Sequence, residues 1–229
     1  MNMQPLLANR KELFFGWRYL AFQSVFLGSL LRLVAGWLGI PLTGAQLNGL
    51  FFAINFTAVI IAFQSFLHRT LVDALEKLPR ILLTALVGFF LYRGISWLLG
   101  LLIARIDPSF ANVNDQSIIS ITQEGFSLMA IGTVLLVPLT EEVLHRAVVF
   151  GTLYRRNKIV AYAVSTVLFS LVHIAGYAGS VPALTFVLCF LQYIPAGLCL
   201  AASYHISGSI LAPVLIHTAV NAIAIFSLR

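Results

Sequence analysis

The feature that most limits what this chain can fold into is a series of long apolar runs. Seven of them lie at roughly residues 18–40, 47–67, 80–103, 126–150, 158–175, 183–203 and 208–228. Each approaches or exceeds the ~20 residues a helix needs to cross a bilayer. Backbone polar groups in hydrocarbon must be satisfied within the segment, so runs of this kind are helices rather than open strands. Composition agrees: 60% of residues are hydrophobic and 10% charged. A soluble domain of this length would lack the polar cover it needs. The predicted fold is all-α, a polytopic membrane helix bundle of about seven transmembrane helices. The stretch NVNDQSIISITQEG before the fourth run reads as an interfacial amphipathic piece, or as a hidden eighth element. Pro138 is expected to kink the fourth run.

Charge sets the orientation. Arg10, Lys11 and Arg18 precede the first span, Arg69, Lys77 and Arg80 fall between spans two and three, and Arg155, Arg156 and Lys158 fall between spans four and five. The alternate connections carry only Arg105 and the terminal Arg229. This alternation fits a cytoplasmic N-terminus by the positive-inside rule. The net charge of +6 is therefore a topology signal, and no aromatic-basic interleaving points to nucleic acid. The opening MNMQPLLANRKELFFGWRYL lacks a short apolar core followed by a small-residue cleavage site, so it reads as an uncleaved anchor. Cys189 and Cys199 share one span, about 15 Å apart along a helix, too far to pair with each other. With no internal repeat and no linker, residues 1–229 read as a single membrane domain.

Ionisable groups inside spans are functional candidates by default. Arg32 is near a span end and can snorkel, and His68 and His205 fall at loop edges. Arg93 lies near the middle of the third span and needs an acidic partner or an anionic ligand, with structural pairing the favoured reading. The segment VPLTEEVLHRAVVF places Glu141, Glu142, His145 and Arg146 in one apolar run, although the chain has only 8 acidic residues. Glu142 and Arg146 are helical i,i+4 neighbours and can pair. Glu141 is rotated about 100° away, which frees its carboxylate to serve as a general base. A salt-bridge cluster joining helices explains this segment equally well. Two later segments tip the balance: Phe169 and His173 are one turn apart in the fifth span, and His217 and Asn221 in the seventh. Two histidines, an asparagine and a spare glutamate on three helices offer a base, proton carriers or metal ligands, and an amide donor for an oxyanion.

Glu-Glu-x-x-x-Arg at 141–146, Phe-x-x-x-His at 169–173 and His-x-x-x-Asn at 217–221, in that order, resemble the motifs of the CAAX protease and bacteriocin-processing (CPBP, or Abi) family. Pro138, three residues before Glu141, fits as well. The resemblance covers residues 126–228 and implies that they form the catalytic core, with 1–125 as variable N-terminal spans. It implies a membrane-embedded endopeptidase like the type II enzyme that removes the last three residues of prenylated CAAX proteins. Its partners would then be the lipid bilayer and a membrane-associated peptide or prenylated protein. Glu141 would activate water with His173, His217 and Asn221 would stabilise the oxyanion, and Glu142 and Arg146 would hold the site's shape. Two positions depart from the family pattern: His145 stands where an aromatic is usual, and Ala147 where glycine is common. His145 is i,i+4 to Glu141 and within reach of it, with packing the favoured role.

A metal-free site is the favoured reading. Zinc stays open, with Glu141, His173 and His217 as its ligand set, although His-Glu-x-x-His is absent. A free substrate carboxylate would give Arg93 a binding role. The competing functions are a catalytically idle scaffold or bacteriocin-immunity protein, and a transporter using Glu and His as proton relays. The expected location is the plasma membrane of a prokaryote, or the endoplasmic reticulum if the source is eukaryotic.

Overall fold

A computed structural model describes residues 4–229; the first three residues of the anchor-like opening lie outside the described residues. Among the described residues the chain forms eight helices and no strand. They are α1 Arg10–Trp37, α2 Gly44–Ala62, α3 Gln64–Ile106, α4 Val113–Glu124, α5 Phe126–Tyr154, α6 Lys158–Tyr177, α7 Ala183–Ser207 and α8 Leu211–Phe226. Six of these (α1, α2, α3, α5, α6 and α7) are long and apolar enough to cross a membrane. The predicted polytopic helical bundle is therefore the fold. The run expected as a seventh span is α8, which has 16 residues and reaches about 24 Å. It packs among the long helices, against α3, α5 and α7.

Local chemistry starts the helices where the sequence supplies caps. Asn9 and Glu12 form a capping box at α1, and Thr43 and Gln46 form one at α2. Asn112 accepts from the Asn114 and Asp115 amides at the head of α4, and Asn157 accepts from Val160 at the head of α6. Gly208, at φ +73°, ends α7 in the left-handed conformation a side chain would resist. The 12 residues of α4 span about 18 Å. That is too short to cross, so the eighth element is a short helix rather than a further span.

The expected loop between spans two and three does not exist. A single residue, Phe63 at φ −109° and ψ 18°, separates α2 from α3. α3 then runs 43 residues without interruption, roughly 65 Å and about twice the hydrocarbon thickness. Hydropathy windows detect lipid-soluble stretches rather than helices, and so miss its polar leading part. There Asp73 and Lys77 pair at 3.0 Å across one turn. Exposed leucines further along, such as Leu83, Leu86 and Leu102, give α3 its lipid-facing surface.

Arg69, Arg80 and Arg155 bind the segment before α1 and the end of α7. Arg155 donates to the Ala8 carbonyl at 2.9 Å and Arg69 to that of Leu7 at 3.3 Å. Arg80 donates to Ile206 and Tyr204 to Leu6, while the Leu6 amide reaches Gly208. His205 sits in the last turn of α7, at the loop edge expected of it, with its two ring nitrogens bound by Tyr154 at 3.0 Å and Tyr162 at 2.9 Å. His68 is exposed, on α3 rather than a loop.

The core surrounds the second half of α5, where Val143 to Phe150 are all buried and meet Phe63, Phe66, Tyr204 and Ile210. The α6–α7 contact depends on Gly197. A Cβ there would lie 2.9 Å from the Thr166 Cα, whereas at Gly94 it would meet nothing within 4 Å. Gly197→Ala is therefore expected to force the two helices apart and cost about 1–3 kcal/mol. Gly94→Ala should leave the detergent melting temperature near or slightly above wild type. Equal melting of the two variants would contradict this packing.

Candidate functional site

Both glutamates ride on α5 between two π-helical stretches, Gly132–Leu136 and Val143–Phe150. Wide turns of this kind recur at functional sites because they redirect side chains. In the first stretch the Val137 amide bonds the Gly132 carbonyl, five residues back. The next bond in that register would join residue 138 to the Thr133 carbonyl, but Pro138 has no N–H. Asn221 Nδ2, from α8, donates to that carbonyl at 2.8 Å. The missing N–H at Pro138 and the orientation of Asn221 are thus one feature.

Glu142 is fully buried and accepts twice: from Arg146 Nε at 2.8 Å and from His217 Nδ1 at 3.0 Å. The pairing with Arg146 follows from their i,i+4 spacing. The bond from His217 comes from α8 and could not be read from spacing. Arg146 Nη1 continues to Ser165 Oγ at 2.9 Å, and Ser165 donates to the His145 carbonyl at 3.0 Å. The Arg146 guanidinium also lies 4.8 Å from the centre of the Phe169 ring. One carboxylate therefore ties α5, α6 and α8 together with charge-assisted bonds.

Glu141 points elsewhere. Its Oε2 is buried without a hydrogen-bond partner and lies 3.8 Å from His173 Nε2. His173 Nδ1 is 2.7 Å from the Phe169 carbonyl. A carbonyl only accepts, so Nδ1 carries the proton and Nε2 is the atom presented to Glu141. By the same reasoning His217 donates through Nδ1 to Glu142 and has Nε2 left for the interior. His145 does not reach Glu141. The π turn starting at Val143 rotates it onto Phe169, ring centres 5.4 Å apart and edge-on, and its Nδ1 is buried without a partner.

A cavity of about 70 Å³ opens between α3, α6, α7 and α8, room for several waters. Tyr92, Phe169, His173, Tyr193, His217 and Asn221 are among the residues lining it. The structure thus brings Glu141, His173, His217 and Asn221 to one region, with Glu142 and Arg146 behind them. Arg93 is not brought in: it is exposed, its neighbour Tyr92 faces the cavity instead, and it has no acidic partner among the described residues. The structural pairing expected of it is absent there. Ser165, Tyr92, Tyr193 and Thr133 escaped the sequence reading. Ser165 had a signal, since it precedes Phe169 and His173 on the same i,i+4 ladder.

Glu141, His173 and His217 are the residues that would hold a zinc ion if one is bound. Among the described residues no group of three or more His, Cys, Asp or Glu side chains gathers to hold a metal. Cys189 and Cys199 are both free. Beside the cavity, at the head of α4, Asp115 accepts from Tyr193 at 3.1 Å. Packing around the Asp115 carboxyl raises its pKa above the ordinary carboxylate value, and the Tyr193 hydroxyl offsets part of that rise.

Residues 123–223 match the family model described as Type II CAAX prenyl endopeptidase Rce1-like. The matched segment contains all three motifs quoted above. No curated protein and no solved structure gives a match to the chain.

Proposed function

We propose, from the premise that the chain is Rce1-like over residues 123–223, that this multi-pass membrane protein is an endopeptidase working within the bilayer. The observation that carries the reading is Glu141 Oε2, an atom buried without a hydrogen-bond partner on a half-buried side chain and 3.8 Å from His173 Nε2. In this reading residues 126–228 form the catalytic core, and the spans before them complete the bundle. Water held between Glu141 and His173 gives its proton to Glu141 as its oxygen attacks the scissile carbonyl carbon. The tetrahedral oxyanion is met by the Nε2–H of His217, whose ring carries a proton on both nitrogens while Nδ1–H faces the Glu142 carboxylate, and by the second N–H of Asn221 Nδ2, the first being held by the Thr133 carbonyl. As the C–N bond breaks, the proton taken up by Glu141 passes to the departing amine. Glu142 and Arg146 hold His217 and the helices in place. The reading is of a metal-free site, and no step is routed through a metal.

The substrate class proposed is a membrane-associated or lipidated, CAAX-type peptide. The site lies among helices whose outer faces are lipid-facing leucines and phenylalanines, so a substrate already at the membrane meets it by lateral diffusion. A carboxylate at the substrate's C-terminus is the proposed counter-charge for Arg93. The side carrying Arg69, Arg80 and Arg155 is assigned to the cytoplasm by the positive-inside rule.

The test is hydrolysis of a farnesylated C-terminal CAAX peptide by purified, metal-depleted protein in nanodiscs, followed by mass spectrometry. Wild type is expected to release a C-terminal fragment and Glu141→Gln to release none. An intact peptide with wild type, or equal cleavage by both proteins, would sink the reading.

A further inference from the structure

We infer that Tyr193 is a positioning residue for His173, and that the short helix α4 sets Tyr193 in place. The two rings stack at 4.4 Å between centres, with 26° between their planes. His173 has one hydrogen bond to protein, from Nδ1 to the Phe169 carbonyl. A single bond fixes the tautomer but leaves the ring free to pivot about it. The face of Tyr193 on one side and Phe169, 4.7 Å away and tilted by 47°, restrict that pivot. They hold Nε2 toward Glu141.

Tyr193 is in turn held by the first turn of α4. Asn114 Nδ2 donates to its hydroxyl at 2.8 Å, and the hydroxyl donates to Asp115 Oδ1 at 3.1 Å. Both capacities of the phenol are therefore used, one of them with a charged acceptor. One residue earlier on α7, Gln192 Oε1 accepts from Asn112 Nδ2 at 2.6 Å, while Asn112 Oδ1 caps α4 itself. The cap of α4, its attachment to α7 and the clamp on Tyr193 form one polar cluster. Its residues 112, 114 and 115 are consecutive or nearly so in the chain. A helix too short to span the membrane is thereby built into the geometry of the imidazole beside the proposed base. The pivot of His173 then depends on whether α4 is seated.

The inference rests on the proteolytic reading only for its kinetic consequence, and the experiment separates the two. Full-length protein labelled with ¹⁵N-histidine is studied in detergent by NMR, with His173 assigned by loss of its signals in His173→Gln. Wild type should show one His173 tautomer, protonated on Nδ1. Tyr193→Leu, which removes the ring face, should move the two ring-nitrogen signals toward each other as the tautomers mix. Tyr193→Phe and Asp115→Asn, which keep the ring but loosen its hold from α4, should shift them in the same direction by less. His173 signals identical to wild type in Tyr193→Leu would overturn the positioning role. Should Tyr193→Leu not fold, unchanged signals in both Tyr193→Phe and Asp115→Asn would overturn the dependence on α4. On the farnesylated peptide, Tyr193→Phe is expected to lower kcat by about 10–100-fold with little change in KM, the scale of a misplaced catalytic group. Absence of cleavage by wild type would count against the proteolytic reading alone, since the NMR result is independent of it.

Discussion

Glu142→Ala is expected to be the most damaging single substitution in the protein, and to act on folding before it acts on chemistry. The carboxylate is fully buried and answers both Arg146 and His217. Removing it leaves a guanidinium without its counter-charge inside the bundle, since one of its nitrogens, Nη2, already lacks a partner. Breaking a buried pair in this way costs about 3–5 kcal/mol, a large part of the ~5–15 kcal/mol that holds a typical protein folded. Glu141→Gln, one residue away, should melt with wild type. Its carboxylate makes no hydrogen bond through Oε2, and the amide keeps its shape while losing the ability to accept the proton. Detergent melting together with turnover separates the two carboxylates. If Glu141→Gln melts as low as Glu142→Ala, the adjacent glutamates do not divide structural from chemical work.

Asn221→Ala is expected to lower kcat by about 100–1,000-fold, the usual cost of losing an oxyanion donor. The bond from Asn221 to Thr133 adds a second expectation. Without the amide, the Thr133 carbonyl is left unsatisfied, at a cost of about 1–3 kcal/mol. The variant should therefore be both slower and less stable, with KM largely kept. Asn221→Asp sharpens the test, because a carboxylate has no proton for Thr133 and would face its carbonyl with like charge. Wild-type kcat in Asn221→Ala would remove the residue from the chemistry and leave it the structural role alone.

Much of the bundle was legible because lipid imposes a strong rule: an apolar run of sufficient length is a helix. The rule is silent about polar helix, which is why the charged first part of α3 read as a loop. The motif residues were legible because i,i+4 spacing on a helix is contact, so Glu142 and Arg146 had to be able to meet. The spacing argument placed His145 near Glu141 for the same reason and failed there. Period 3.6 assumes an α-helix, and the π turn at Val143 changes the period at that point. Contacts between helices had no local signature. The bond from His217 to Glu142, and the stack of Tyr193 on His173, join residues whose nearness is set by tertiary packing.

Pro138 and Asn221 stand 83 positions apart (221 − 138), yet they act as lock and key for helix register. By withholding a proton, the proline leaves one carbonyl on α5 open, and an amide on α8 fills it. Sliding α8 by a residue, or turning it, would take that amide out of reach, so the open carbonyl fixes both the depth and the rotation of α8. His217, one turn before Asn221, is delivered to Glu142 by the same fit. A missing hydrogen on one helix thus serves as an address read by another, and the site is aligned by what α5 lacks as much as by what it presents.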